Sequence, residues 1–291
     1  MGFKKYDNHI KGILCILSAA FFFSLMTVLV RLSGDLPAIE KSFFRNLVAM
    51  IYAAVILSRT PEKFHIKEGN LKDLILRSVF GTVGIIANFW AIDHIGLADS
   101  NVLNKMSPFF AIIMSTFILK ERATRREWML VFFAFVGAML VIKPTSGIAS
   151  LPAFVGLLSG FGAGTAYTYV RKLSRQGERG PMIIFFFSAF SCLIAVPFMI
   201  FDYKPMTWTQ FLLLILTGTA AMGGQLSITA AYTYSPAKDI SVFDYTQVVF
   251  ASIWGLVLFG EIPDSVSVCG YVIIIAMAVL RWLHTKQKYG S

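Results

Sequence analysis

Three ionisable side chains lie well inside long apolar runs of this sequence: Arg45, Lys105 and Asp244. A charged side chain inside a membrane-spanning helix costs about 3 kcal/mol on insertion scales, so such residues are candidates for function. The two cations together would form a pocket for a carboxylate or a phosphate, and Asp244 would face an amine. These residue types therefore favour the binding of a small anionic or zwitterionic solute.

Lys105 belongs to a polar stripe that recurs in the second half of the chain. The first stripe has the spacing i, i+3, i+4, i+7 of one helical face and contains Asn101, Asn104, Lys105 and Pro108. The second stripe has the same spacing and contains Ser241, Asp244, Tyr245 and Val248, with Gln247 alongside. Two helices that turn these stripes inward would line a central cavity.

Each of these residues also has a structural interpretation. The polar groups of a stripe would then only tie helices together by hydrogen bonds, and Arg45 would anchor its helix to a backbone carbonyl or near Asp93. Lys105 and Asp244 each lie about seven residues, or roughly 10 Å, inside their predicted spans, and these spans enter from opposite sides. The sequence therefore does not assure a direct ion pair between Lys105 and Asp244.

Further lining residues are predicted from their positions. Asn88 lies on a face of small residues in the third predicted span, and Gln225 occupies the matching region of the eighth. Trp90 and Tyr167 are candidates for aromatic walls, although 14% of the chain is aromatic and most such side chains are core or lipid-facing. The predicted substrate-binding set is Arg45, Asn88, Trp90, Asn101, Asn104, Lys105, Tyr167, Gln225, Asp244, Tyr245 and Gln247.

The elements that position these residues are predicted to be membrane-spanning helices. The chain is 56% hydrophobic and only 14% charged, which is too apolar for a soluble protein of 291 residues. Apolar runs long enough to cross a bilayer recur from end to end. The ten predicted spans lie at about 12–32, 38–58, 74–95, 98–119, 127–143, 152–172, 181–201, 208–232, 238–259 and 264–283. The turns between the third and fourth and between the eighth and ninth spans must be tight.

The distribution of basic residues predicts the orientation. Of 26 Lys and Arg residues, 20 lie at the termini or in connectors on one side, with Arg77 counted in the connector between the second and third spans. Because the cytoplasmic side is rich in Lys and Arg, both termini are predicted to be cytoplasmic, in a multi-pass protein of the cell (inner or plasma) membrane. This dispersed charge explains the net charge of +10 without a nucleic-acid partner.

The chain contains an internal repeat. Residues 98–121 and 238–261 are two copies of one helix at a constant offset of 140. Matching positions are Asp99 and Asp239, Ala111 and Ala251, and Glu121 and Glu261. Weaker similarity extends over five spans in each half, and an odd number of crossings inverts the second copy. The predicted fold is thus all-α, with ten transmembrane helices in two inverted five-helix repeats, residues 1–145 and 146–291.

Small residues predict close helix contacts in the second repeat. Gly156, Gly160 and Gly164 form a tandem small-xxx-small motif in the sixth span. Close packing against a neighbouring helix is the structural interpretation. The functional alternative is a sliding contact that lets the two halves rock.

These features together resemble the EamA-type transporters of the drug/metabolite transporter superfamily. The resemblance extends over nearly the whole chain and depends on the alanine-rich segments and the helix ends in both halves. Those elements are Ala91–Ala98, Pro108 and Lys120–Glu121, then Ala230–Ala237 and Gly260–Glu261. The second half has Val248 where the first has Pro108, so the halves differ at that bend. The resemblance implies a bacterial ten-helix carrier, and it does not specify the substrate.

Other classes of protein lack support in the sequence. No catalytic motif and no Gly-rich nucleotide loop is present, so neither an enzyme nor ATP-driven transport is predicted. The four His residues lack metal-ligand spacing, and the three Cys residues are far apart within apolar spans. No cofactor and no metal are expected.

The leading hypothesis is a secondary transporter of a small polar metabolite, zwitterionic or anionic and amino-acid-like, that works by alternating access. An exporter of lipophilic or cationic drug-like compounds is the alternative, and a non-transporting scaffold or channel is ranked last. The expected partners are the small-molecule substrate and the lipid bilayer, and the chain is expected to be a monomer or a dimer. A proton is a candidate coupling ion if Asp244 is far from the cations; if they are close, Asp244 is a fixed counter-charge.

Overall fold

The computed structural model describes residues 2–142, 151–201, 203–260 and 262–289, and the regular elements in these ranges are all helices. The first half contains α1 (Gly2–Leu32), α2 (Ala38–Ser58), α3 (Leu71–Asn104), α4 (Ser107–Leu119) and α5 (Arg125–Ile142). The second half contains α6 (Leu151–Arg175), α7 (Gly180–Phe201), α8 (Trp208–Tyr234), α9 (Ala237–Ile240), α10 (Thr246–Phe259) and α11 (Ser265–Tyr289), with a 3-10 turn at Ser241–Tyr245 before α10. The all-helical prediction is confirmed for these residues.

Seven helical segments in the described part of the chain are long and apolar enough to cross a membrane, by length and composition. Two of the other predicted spans are less apolar, because α5 begins with three charged residues and α6 is rich in Gly and Thr. Large apolar side chains cover the outside of the bundle, where Phe117 is 70% and Phe201 89% exposed. Such a surface suits a lipid environment, in which helices satisfy their own backbone polar groups.

Helical hydrogen bonding continues along α3 through the predicted tight turn near residue 96. The helix nevertheless doubles back, because Ala91 and Leu103 both lie beside Gly156 of α6. Twelve residues of straight helix would separate Ala91 from Leu103 by about 18 Å. Farther along α6, Gly162 lies beside Gly84, so the first part of α3 runs antiparallel to α6. The third and fourth predicted spans are therefore adjacent antiparallel segments, as a tight turn requires.

The helices of the two copies are interrupted at equivalent positions. The fourth predicted span is broken at Lys105–Met106, between α3 and α4. At the offset of 140, the ninth span changes to the 3-10 turn Ser241–Tyr245 before α10 begins. Both copies also end alike, since Lys120 and Gly260 are left-handed with φ of 60° and 67°. Discontinuous helices of this kind expose backbone groups in the middle of a membrane protein.

The helix contacts are the same when each helix is replaced by its counterpart in the other half of the chain. The helix α3 packs against α6 as α8 packs against α1, and α4 packs against α6 as α10 packs against α1. The remaining pairs are α2 with α7 and α5 with α11. The beginning of α1, at His9, and the end of α6, at Arg171, lie at the same end of the bundle, because His9 contacts Ser235 and Arg171 contacts the Tyr232 carbonyl. The helices α1 and α6 therefore run in opposite directions.

Glycines of α6 let neighbouring backbones approach closely. A Cβ added at Gly160 would lie 2.6 Å from the Leu103 carbonyl oxygen, and one added at Gly162 would lie 2.7 Å from the Phe80 carbonyl oxygen. Neither position has room for a side chain. At Gly156 the nearest atom is a side-chain methyl of Leu103. The predicted close packing of this glycine motif is thus present in the structure.

Candidate substrate-binding site

A cavity of about 220 Å³ lies at the centre of the bundle, between helices of both halves. Its charged lining side chains are Lys41, Arg45, Arg77, Lys105 and Asp244. The structure brings nine of the eleven predicted residues to this cavity: Arg45, Asn88, Asn101, Asn104, Lys105, Tyr167, Gln225, Asp244 and Gln247. That they bind a substrate remains a prediction.

The interrupted helices of the two halves meet at Lys105. Its Nζ lies 3.0 Å from Asp244 Oδ2 and donates to Gln247 Oε1 at 2.8 Å. The Tyr245 hydroxyl donates to the Lys105 carbonyl oxygen at 3.0 Å. Lys105 and Asp244 therefore form the ion pair that their predicted depths left undecided, and their side chains are only 11% and 13% exposed.

Arg45 reaches the cavity from α2 with neutral partners. Its Nε lies 3.3 Å from Met26 Sδ, and its Nη1 donates to Asn46 Oδ1 at 3.2 Å. Among the described residues, Arg45 has no carboxylate within ion-pair distance and contacts no backbone carbonyl. The alternative anchor role therefore lacks support from these residues, while the side chain of Asp93 lies outside the described part of the chain.

The structure corrects the count of basic residues on each side of the membrane, in which Arg77 was assigned to a connector. It lies in α3, is 2% exposed and lines the cavity. Its guanidinium lies 3.9 Å from the centre of the Phe187 ring, and its Nη2 donates to Gln225 Oε1 at 3.5 Å. Its Nε and Nη1 are buried without a hydrogen-bond partner. A signal for this site was present, because Gly81 follows one helical turn later and leaves the space that Nη1 occupies.

The uncharged polar lining comes from both halves of the chain. Asn104 Nδ2 donates to Ser159 Oγ at 3.2 Å, which ties α3 to α6 beside the helix interruption. The Tyr167 ring stacks on Tyr232 with a centroid distance of 5.1 Å. Amide and hydroxyl groups that surround a charged cluster can fix the orientation of a small polar ligand.

Two predicted site residues do not line this cavity. Tyr245 is fully buried and supports the Lys105 carbonyl instead. Trp90 is stacked on His94 and lines a second cavity of about 580 Å³. Periodicity assigned Tyr245 to the polar face, but the 3-10 turn rotates the side chains relative to an α-helix. These two residues therefore lie outside the lining of the central cavity, and their part in substrate binding stays a prediction.

The second cavity lies next to the central one, toward one end of the bundle. Lys41 and Ile85 line both cavities. The second cavity is otherwise lined by the loop of residues 34–37 and by Lys204, at the end of the bundle farthest from His9. That end has the connectors that are poor in Lys and Arg. The second cavity thus lies between the central site and this end.

Buried ion pairs tie the helices together at the opposite end. Arg281 lies between two acids, with Nη1 3.3 Å from Glu127 Oε1 and Nη2 hydrogen-bonded to Asp239 Oδ1. His9 Nε2 lies 3.1 Å from Asp239 Oδ2. All four side chains are almost fully buried, and they connect α1, α5, α9 and α11.

A second ionic cluster connects the halves at the same end. Arg171 and Arg175 of α6 both pair with Glu121, which follows α4, and the Arg171–Glu121 distance is 2.9 Å. Lys172 Nζ lies 2.9 Å from Asp73 Oδ1 of α3. Glu261, the predicted counterpart of Glu121, and the side chain of Asp99 lie outside the described part of the chain.

The arrangement suits anion binding better than metal or thiol chemistry. Four of the five charged groups that line the cavity are cations, and Asp244 compensates one of them. In the part of the chain that the structure describes, no three His, Cys, Asp or Glu side chains converge as metal ligands. The thiols Cys15, Cys192 and Cys269 are free and lie outside the lining of either cavity.

Comparison with protein families gives a match over both halves. The model of a family described as "EamA-like transporter family" matches residues 10–143 and again residues 150–282. A solved crystal structure superimposes with a TM-score of 0.79 over 95% of this chain and 98% of its own chain. Its sequence is 13% identical, so the likeness is one of fold alone.

Several curated relatives are named as transporters. The pseudopaline exporter of Pseudomonas aeruginosa is 35% identical over 278 residues, which cover 92% of this chain and 94% of that protein. Human solute carrier family 35 member G1 is 26% identical and is covered over 81% of its length. The riboflavin transporter of Vibrio cholerae is 23% identical over 96% of this chain and 95% of its own.

Proposed function

This chain belongs to the EamA-like transporter family of multi-pass membrane proteins, and we propose that it is a secondary transporter of a small polar metabolite. The substrate is zwitterionic or anionic and amino-acid-like, and it is moved by alternating access. The observation that carries this proposal is the central cavity, in which Arg45 and Arg77 lack carboxylate partners among the described residues. Relatives that are named as transporters support the assignment to transporters. The charges that line the cavity support the proposed class of substrate.

The architecture that we propose has ten transmembrane helices in two inverted repeats, residues 1–145 and 146–291. The exchange of helix pairs between the halves, the opposite directions of α1 and α6 and the matching helix interruptions support it. Inverted repeats give two access states of similar energy, with the binding site at the interface of the repeats. The central cavity is lined by residues of both halves, which supports a site at such an interface.

We also propose that both termini are cytoplasmic in the cell membrane, because the Lys- and Arg-rich connectors lie at the same end as His9 and Arg281. In this orientation, the structure is an outward-facing state. The position of the second cavity between the central site and the outside supports this assignment, as do the buried ion pairs of Asp239 and Glu121 at the cytoplasmic end.

The direct contact between Lys105 and Asp244 bears on coupling. Asp244 Oδ2 lies 3.0 Å from Lys105 Nζ, so the carboxylate already has a cationic partner inside the protein. This favours Asp244 as a fixed counter-charge, with facilitated diffusion or exchange, over Asp244 as a proton carrier. Asp244→Asn separates the two mechanisms in proteoliposomes. If Asp244 carries protons, accumulation driven by a pH gradient disappears in this variant while counterflow remains; if it is a counter-charge, the two decline together.

The drug-exporter alternative is less favoured by the lining. A cavity of about 220 Å³ is smaller than the roughly 300–1,000 Å³ of sites for drug-sized ligands, and its excess of cations repels a lipophilic cation. The excess of positive charge is the feature that discriminates between the two hypotheses.

Counterflow in liposomes tests the proposed function. Purified protein is reconstituted into vesicles loaded with an amino acid or organic anion, and uptake of the same labelled solute is measured. Saturable uptake that exceeds that of protein-free vesicles is expected for at least one anionic or zwitterionic solute. Absence of transport for every solute under any imposed gradient would refute the proposal.

A further inference from the structure

Arg77 is a buried cation, and the described residues do not satisfy all of its hydrogen-bond donors. Of its three guanidinium nitrogens, only Nη2 has a partner, the neutral Gln225 at 3.5 Å. The Phe187 ring lies against the guanidinium plane and holds it in place. A buried charge without a partner is strongly destabilising, so a group that persists in this form points to a ligand that completes it.

Arg45 is the second cation of this cavity without a carboxylate partner among the described residues. Its hydrogen bonds go to Met26 and Asn46, which are both neutral. Lys105, by contrast, is compensated by Asp244 inside the protein. The described lining therefore contains two buried guanidinium charges without a carboxylate partner among the described residues, whereas Lys41 donates to the Gly34 carbonyl oxygen in an exposed contact at the rim.

The two guanidinium groups approach the cavity from opposite ends of the bundle. Arg45 lies seven residues from the beginning of α2, near the end with the second cavity. Arg77 lies six residues from the beginning of α3, near the end with the buried ion pairs, and its side chain reaches toward Gly81. Two separate anionic groups at different depths match this arrangement better than one compact anion does.

We propose that the cavity selects a dianionic solute with two carboxylates, one bound by Arg77 toward the end with the buried ion pairs and one by Arg45 toward the end with the second cavity. This assignment rests on the proposed transport function and narrows its substrate class. Guanidinium groups bind carboxylates through paired, charge-assisted hydrogen bonds, which reward a substrate that reaches both. The Lys105–Asp244–Gln247 cluster lines the same cavity and would orient an amino or hydroxyl group of the same solute.

Gly81 is part of this site because it has no side chain and so leaves space for Arg77. A Cβ at this position would collide with Arg77 Nη1 and would lie 2.8 Å from the Phe187 ring. Gly81→Ala therefore moves the guanidinium without removing its charge. This variant separates the position of Arg77 from its mere presence.

Thermal unfolding of the purified full-length protein in detergent tests the assignment, since a ligand stabilises the folded state according to its concentration over Kd. The probes are dicarboxylates of increasing length, from malonate to pimelate, together with aspartate and glutamate. Each probe is paired with its monoamide, and a phosphomonoester is the third arm. The wild type is expected to be stabilised by dicarboxylates of a preferred length. The half-saturating concentration of the corresponding monoamide should be about tenfold higher or more.

Three variants locate the effect. Arg77→Gln and Arg45→Gln should each raise the half-saturating concentration of the best dicarboxylate by about 30-fold or more, with less than about threefold change for the monoamide. Gly81→Ala should weaken the binding of the dicarboxylate and leave the binding of the monoamide nearly unchanged. Arg59→Gln removes an equal charge from an exposed position at the end of α2 and should change neither. Arg77→Gln is expected to fold, because it removes an uncompensated buried charge.

Each result bears on the inference. Equal binding of dicarboxylates and monoamides, or stronger binding of the phosphomonoester, overturns it, as does an Arg77→Gln variant that keeps the wild-type preference. If one of these results is obtained and the wild type still shows counterflow of a monoanionic or zwitterionic solute, only the two-carboxylate assignment is refuted. The proposed function then remains intact. Failure of all counterflow refutes the proposed function itself.

Discussion

Charge compensation differs from one residue to another inside this bundle. Lys105 and Asp244 neutralise each other across the interface of the two halves, and Gln247 adds a third polar group to the pair. Removing one partner of such a buried pair leaves an isolated charge, which is far more destabilising than removing both. The pair should therefore behave as a unit in mutagenesis.

Lys105→Met and Asp244→Asn test this coupling as a double-mutant cycle. Each single change is expected to destabilise the protein by about 3–5 kcal/mol, and the double change by much less than the sum. The measurement is the thermal unfolding temperature in detergent. Lys11→Met, which breaks the exposed pair with Asp7, is the matched control and should have little effect. Additive effects at Lys105 and Asp244 would contradict the coupling.

Sequence reasoning found most of the cavity because polar residues are rare in apolar spans. Arg77 was missed because a basic residue near a predicted span end was attributed to the connector, although Gly81 one turn later marks a packed side chain. Trp90 and Tyr245 lie outside the lining of the central cavity, because helical periodicity does not predict a 3-10 turn or a second cavity. The Lys105–Asp244 contact depends on the helix interruptions, which the sequence did not reveal.

At the level of elements, the glycines of α6 decide how closely α3 and α4 approach. The apolar runs and the repeat predicted the helices and their tight turns, since both are local properties of the chain. Which backbone faces each glycine is a tertiary property. The structure distinguishes Gly160, which faces a carbonyl oxygen, from Gly156, which faces the end of a leucine side chain.

Alanine substitutions should separate these two glycines. Gly160→Ala is expected to destabilise the protein by about 1–3 kcal/mol, because the Leu103 backbone cannot move away from the new methyl group. Gly156→Ala serves as the matched control; the Leu103 side chain can rotate, and Ala favours the helix by about 1 kcal/mol over Gly. Unfolding temperatures of the two variants provide the test. An equal loss at both positions would show that backbone contact is not the cause.

The whole molecule has one end with the second cavity and one end with buried ion pairs. Asp239 contacts both Arg281 and His9, so Asp239→Asn weakens the contacts among three helices at once. We expect this variant to populate the inward-facing state more than the wild type does. An exposed pair such as Asp7–Lys11 should not affect this balance.

Side-specific labelling measures this shift. A cysteine replaces Ser107 of the cavity lining in a variant whose three native cysteines are changed to serine. A membrane-impermeant maleimide is then applied from either side of the membrane. Wild-type contacts should give labelling mainly from outside, and Asp239→Asn should raise labelling from inside several-fold. The idea of a closing contact fails if labelling from inside stays at the level of the wild type and of the control Asp7→Asn.

Arg45 and Arg77 also make the transport cycle electrical. Without a carboxylate partner among the described residues, the two guanidinium groups give the empty site a charge of +2 within the membrane field, and a bound dianion cancels this charge. A full crossing of 100 mV is worth about 2.3 kcal/mol per charge. A negative interior should then draw the empty site inward and accelerate net efflux, which includes this step, while leaving one-for-one exchange unchanged. Fluxes measured under valinomycin-imposed potassium potentials would reveal the difference, and exchange that varied with voltage as steeply as net efflux would exclude it.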